Sequence, residues 1–271
     1  MMRRGIGLSL ALGLALVGPR TASATDYWDL AFVNDDGAFT NNELIHGTSQ
    51  QHDLEFHPGP VADQDWYIAI NYPRSSYEAV VDSTGTDLYM FNPGSFQRLD
   101  VSGTTVLQSA EPANGGAGVG YSMALRWQNT GTTIDRQFLR AQSSGCGDNC
   151  VAWDQYHIRY YDTTVSVPRF NNTSSQVTIL IIQNSTGWTR NIAGTAYFHN
   201  AAGTLVGSTT FSLAAHAALV LNTATVGGAA GVSGTITVAH DGGYGNLAIK
   251  SVALEPATGF SFDSPGVYQP L

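Results

Sequence analysis

Lysine is nearly absent from this chain. Lys250 is the only one in 271 residues, and 21 acidic groups against 12 basic ones give a formal net charge of −9. Scattered arginines on an acidic chain repel polyanions, which excludes a nucleic-acid partner and an anionic lipid surface. Long apolar runs are also missing after the first twenty residues, so the sequence predicts no membrane span. The strings that mark common hydrolases are missing too. There is no H-E-x-x-H pair, and the nearest approach to a nucleophile elbow, Gly120-Tyr121-Ser122-Met123-Ala124, lacks the final glycine and lies in a predicted strand. The histidines (His46, His52, His57, His157, His199, His216 and His240) are scattered, and the few glutamates lie in no obvious cleft-forming segment. These absences point to a non-enzymatic protein. A hydrolase with paired carboxylates stays open as one alternative, because such acids need no fixed spacing, and a structural cell-envelope component as another.

Cysteine occurs twice, as Cys146 and Cys150 in SGCGDNCVAW. Neither a C-x-x-C redox motif nor a second Cys/His pair for zinc accompanies them. The expectation is a small-loop disulfide, Cys146–Cys150, which requires an oxidising compartment. The start of the chain agrees. Arg3 and Arg4 precede an apolar run from Ile6 to Val17, and Ala22-Ser23-Ala24 follows. This is the pattern of a secretory signal peptide over residues 1–24, with an uncleaved anchor as the competing reading. Its removal leaves 247 residues carrying nine basic groups against 21 acidic ones, a net charge of −12. The predicted location is therefore outside the cytoplasm, extracellular or periplasmic.

What the chain has is glycine, hydroxyl residues and period-2 alternation. Trp66, Ile68 and Ile70 fall on one face of a run whose other face carries Tyr67, Ala69 and Asn71. Tyr77, Ala79 and Val81 resume the pattern after a break at Pro73–Ser76, which predicts a strand pair. Further short strands follow at Phe96–Val101, Tyr121–Gln128, Ile134–Gln142 and Trp153–Tyr161. A second series runs from Val177–Gln183 through Asn246–Leu254. Short strands at this spacing, with Gly, Pro and Asn between them, predict an all-β fold of two consecutive antiparallel β-sandwich domains of jelly-roll or Ig-like type. The domains are placed at residues 25–164 and 165–271, with Thr163–Asn172 as a connecting segment around Pro168.

In sequence order the first half carries a polar Asn/Asp stretch, then D-Q-D-W-Y, S-Y-E-A-V-V and T-D-L-Y-M-F. Phe138-Leu139-Arg140-Ala141 and Tyr156-His157-Ile158-Arg159-Tyr160 come late in it. This arrangement resembles the bacterial pre-peptidase C-terminal domain over about residues 26–164. The resemblance implies an extracellular β-sandwich of the kind found beside secreted proteases, a fold shared with collagen-binding domains. The chain departs from the family at Val33-Asn34-Asp35-Asp36-Gly37, where a Glu-x-Asn-Asp type run is usual. The second half is similar to secreted bacterial modules of unassigned role.

Two sets of site residues follow. Asn34, Asp35, Asp63 and Asp65 supply clustered oxygens on predicted loops, the ligand type that calcium takes, with solvated turn aspartates as the alternative. Calcium is the one cofactor expected. Tyr156, Tyr160 and Tyr161 offer flat rings for a sugar or a peptide, with core filling as the alternative. The partner expected is an extracellular protein or polysaccharide surface. His240-Asp241 reads as part of a Gly-rich turn.

Overall fold

The computed structural model describes residue 35 and residues 37–53, 64–83, 95–113, 122–142 and 155–271. Among them the only helical element is a short 3-10 turn at Thr223–Thr225. The remainder is strand and turn.

The strands before Thr163 are β1 (Ser49–Asp53), β2 (Gln64–Asn71), β3 (Ser75–Ser83), β4 (Ser95–Leu99), β5 (Val106–Ser109), β6 (Glu111–Pro112), β7 (Ser122–Asn129), β8 (Asp135–Gln142) and β9 (Gln155–Asp162). They make two antiparallel sheets, ordered β2-β8-β4-β5 and β1-β9-β3-β7-β6. After Thr164 come β10 (Val165–Asn171), β11 (Val177–Asn184), β12 (Ile192–Asn200), β13 (Leu205–Leu213), β14 (Ala218–Asn222), β15 (Ser233–His240), β16 (Leu247–Glu255), β17 (Phe260–Pro265) and β18 (Val267–Tyr268). Their sheets run β13-β12-β15-β10-β18 and β14-β11-β16-β17. Among the described strands, no sheet draws from both sides of Thr163–Thr164. The all-β sandwich architecture expected from the alternation is present.

Period-2 burial builds each core. Tyr67, Ala69, Leu139 and Ala141 of one sheet meet Tyr77, Ala79, Val81, Leu125, Trp127, Tyr156, Ile158 and Tyr160 of the other. In the C-terminal half, Val165, Val167, Phe198, Ile236 and Val238 meet Leu180, Ile182, Leu247 and Ile249. Strand β2 is buried on both faces, because Trp66 and Ile68 pack with Leu99, Phe138 and Ala38 on the side away from the main core.

Two local readings change. The run from Ala62 to Asp82 is not a hairpin. Strand β2 pairs with β8 while β3 pairs with β7 and β9, so the Tyr72–Arg74 connection crosses from one sheet to the other. Arg74 makes that turn with a positive φ of 57°. The segment around Pro168 is a strand rather than a linker. Val165, Val167 and Phe170 point into the core, and β10 lies between β15 and β18. Its register to β15 shifts between Val167 and Phe170, and Pro168 sits in that break, where a missing N–H is tolerated. The tail at Phe260–Pro265 forms edge strand β17, paired with β16.

The two halves meet across the outer face of β3. Ser76, Glu78 and Val80 alternate with the core residues of that strand, yet all three are buried. Glu78 lies opposite Arg126 on β7, and Arg126 Nε donates to Glu78 Oε1 at 2.7 Å. From the C-terminal half, the Tyr244 N–H donates to Glu78 Oε2 at 2.9 Å. The guanidiniums of Arg126 and Arg190 both pack on the indole of Trp188, 4.4 Å and 5.0 Å from its ring centre. Glu111 Oε1 accepts from both arginines. Arg190 also donates to the Asp241 carbonyl at 2.7 Å.

Candidate binding cleft and metal-ligand cluster

The oxygen-rich corner read from the sequence is only partly a loop. Strand β2 begins at Gln64, so Asp65 is a strand residue. By parity it shares a face with Tyr67 and Ala69, and it points into the sandwich at 1% exposure. Asp35, in the segment before β1, comes alongside: its carbonyl accepts the Trp66 N–H at 2.8 Å. The structure therefore brings Asp35 and Asp65 together. Asn34 and Asp63 lie outside the described residues, as does the Cys146–Cys150 pair.

The third member of this cluster is His52 on β1. Ligand atoms of Asp35, His52 and Asp65 all lie within 4.8 Å of one another, and all three residues are buried. The signal for His52 was in the sequence, since it alternates with Asp53 in register with the apolar Leu54 and Phe56. Its Nε2 donates to Gln50 Oε1 at 3.1 Å, which directs Nδ1 toward Asp35 Oδ2 at 3.7 Å. Tyr156 donates to Asp65 Oδ2, and the Tyr67 and Tyr156 hydroxyls are hydrogen-bonded. The His52 ring meets Tyr67 edge-on and stacks on Tyr156. Burial first, then the neighbouring Asp65 and Tyr67, hold the Tyr156 hydroxyl well above its ordinary pKa, so it remains a proton donor.

This corrects one of the binding tyrosines. Tyr156 is fully buried and committed to Asp65, and it presents no surface to a ligand. Tyr161 faces the junction of the halves, where it lies 5.4 Å from Tyr244 and 6.4 Å from His46, ring to ring. Tyr160 lines a cleft.

That cleft, about 200 Å³, is bounded by Glu43, Ile45, His46, Tyr72, Tyr77, Tyr160, Asp162 and Gln269. Tyr77 and Tyr160 stack in near-parallel at 5.8 Å and form its base. Tyr72, 55% exposed, and Ile45, 62% exposed, stand on the rim. His46 fixes one wall by accepting the Asp162 N–H at Nδ1 and donating from Nε2 to the Pro270 carbonyl. The Tyr160 hydroxyl is buried and has no hydrogen-bond partner among the described residues. Burial holds that hydroxyl well above its ordinary pKa, reinforced by Tyr77, Asp162, Glu43 and Tyr72. Glu43 thus lies in a cleft, contrary to the sequence reading of the glutamates. Asp162 and Gln269 also line a neighbouring cleft of about 440 Å³ that runs along the seam past Arg74 and His199.

His240 and Asp241 serve the junction rather than a turn alone. His240 is fully buried, accepts the Gly242 N–H at Nδ1, and has its pKa pushed down to about 4 by burial. Asp241 Oδ1 accepts the Ala193 N–H at 2.7 Å, and burial raises its pKa.

No protein-family model matches the chain, and no curated protein matches it. Among solved structures, a β-glucuronidase from glycoside hydrolase family 2 is 11% identical, with a TM-score of 0.23 over 91% of this chain and 26% of that one. A glycosyl hydrolase family 2 member from Bacteroides cellulosilyticus DSM 14838 is 9% identical, with a TM-score of 0.24 over 75% of this chain and 29% of that one. A Bacteroides uniformis β-glucuronidase is 10% identical, with a TM-score of 0.21 over 83% of this chain and 32% of that one. This chain thus spans about a third or less of each. At these TM-scores the likeness carries no argument about site or activity.

Proposed function

We propose that this is a secreted binding module of the pre-peptidase C-terminal type in its N-terminal half, and that its seam cleft holds a hydroxyl-rich ligand, one or more units of an extracellular polysaccharide. The observation that carries this reading is the exposed Tyr72 ring on the rim of the cleft that also holds the carboxylates of Glu43 and Asp162. Sugar hydroxyls both donate and accept, so they suit carboxylates and a phenol together. The tyrosine rings offer apolar faces for the sugar's C–H side. Two carboxylates at the cleft favour neutral or amino sugars over uronic acids.

Binding of cello-, xylo-, manno- and chito-oligosaccharides, with oligo-uronates for comparison, tests this by calorimetry. Tyr72→Ala and Asp162→Asn should each weaken binding tenfold or more. Affinity unchanged in both variants, or absent across the panel, would refute the assignment.

One observation favours a second reading. Glu43 and Asp162 line the same cleft, and a pair of carboxylates is what glycoside hydrolysis requires. Release of new reducing ends by the wild type, lost in Glu43→Gln, would replace the binding module with a hydrolase.

A further inference from the structure

We propose that Asp35, His52 and Asp65 are ligands of a buried, structural divalent metal ion of the zinc and manganese class, and that this ion ties together the edge strands of both N-terminal sheets. Strand β1 is the outermost strand of one sheet and β2 the outermost strand of the other. His52 comes from β1, Asp65 from β2, and Asp35 from the segment that runs along the free edge of β2. An ion bound by all three would close the sandwich at the side where no further strand of either sheet is present among the described residues.

The spacing of the ligand atoms suits a shared ion. The 3.7 Å between His52 Nδ1 and Asp35 Oδ2 is too long for a hydrogen bond. Two ligands held about 2.1 Å from one tetrahedral ion stand roughly 3.4 Å apart, close to what is seen. The outer contacts are those of a ligand set. His52 Nε2–H is fixed on Gln50 Oε1, which leaves Nδ1 with its lone pair toward the carboxylates. Tyr156, backed by Tyr67, holds one oxygen of Asp65.

The donor set decides the metal. Calcium takes six to eight oxygens, whereas one imidazole nitrogen with two carboxylates suits zinc, manganese or cobalt. All three residues are at or below 1% exposure, so no substrate reaches the site, and its role is to hold the fold.

The test uses the tag-free mature chain. Elemental analysis after purification without chelator should find about one equivalent of zinc or manganese. Stripping it should lower the melting temperature by roughly 5–10 °C, recovered by zinc chloride and not by calcium chloride. Cobalt chloride added to the stripped wild type should give a visible absorption band, a readout that requires no variant. His52→Gln should abolish both the band and the zinc shift. A chain that purifies without metal, shows no shift with zinc, manganese or cobalt, and gives no cobalt band would overturn the proposal. A shift with calcium alone, or a zinc shift that survives His52→Gln, would overturn it equally.

Discussion

Replacing Arg126 with methionine removes the group on which the junction of the halves depends. The guanidinium is 2% exposed, and it donates to Glu78, to Glu111 and to the Ala113 carbonyl while stacking on Trp188. Methionine keeps the stem and its packing. It leaves the Glu78 carboxylate, 7% exposed, with a single N–H from Tyr244 at 2.9 Å. Breaking a buried pair by removing one partner costs about 3–5 kcal/mol. For a chain of this size that is a drop in melting temperature of roughly 6–20 °C. Glu78→Gln is milder, because the amide still accepts from Tyr244 and Arg126 keeps Glu111 and Ala113, so a loss of about 1–2 kcal/mol is expected. In the double variant the stranded charge is gone, and its loss should be smaller than the sum of the singles by about 2 kcal/mol. Thermal and urea unfolding of all four proteins measures this coupling. Additivity within about 0.5 kcal/mol, or a loss below about 1 kcal/mol for Arg126→Met, would refute the account of the junction.

Other expectations follow from the same interface. His240 has a folded pKa of about 4 against an ordinary 6.5, so the unfolded chain binds more protons between those values. Stability is then fully present above pH 6.5 and falls by about 3 kcal/mol as the pH drops toward 4. His240→Asn, whose Oδ1 takes the Gly242 N–H, should flatten that part of the urea-unfolding profile. A β-carbon at Gly243 would lie 2.7 Å from Glu78 Oε1, and that carboxylate is pinned from both sides. Gly243→Ala should therefore cost about 1–3 kcal/mol in the same assay. Gly228 combines a positive φ of 83° with a carbonyl 1.9 Å from where its β-carbon would be. Gly228→Ala should lower the melting temperature while leaving the cleft's ligand affinity unchanged.

The strands were legible because alternation reports burial directly. Val177–Gln183 falls one residue short of the strand the structure has. Sheet membership was not legible at the Tyr72–Arg74 turn. Two strands separated by a short turn can pair or can arch between sheets, and only the pairing of β2 with β8 and of β3 with β7 and β9 distinguishes the two. Pro168 misled for a related reason: proline breaks a ladder, but the register shift in β10 places it where no ladder bond is lost. Of the candidate metal ligands, Asp35 and Asp65 could be picked out by type. The inward direction of Asp65 follows from its parity with Tyr67, which the sequence also contains. His52 could be reached only by combining its apolar-face parity with contacts more than ten residues away. The cleft escaped notice because Glu43, Tyr72, Tyr160 and Gln269 come from four separate segments, and no local pattern joins them.

The proposed binding role of the cleft is tested most directly by amide hydrogen exchange on residues 25–271, with and without saturating amounts of the tightest-binding oligosaccharide. Protection confined to Glu43–His46, Tyr72–Ser75 and Asp162–Thr164, and lost in Tyr72→Ala, is the predicted result. Protection elsewhere on the sheets, with these three segments unchanged, would contradict it.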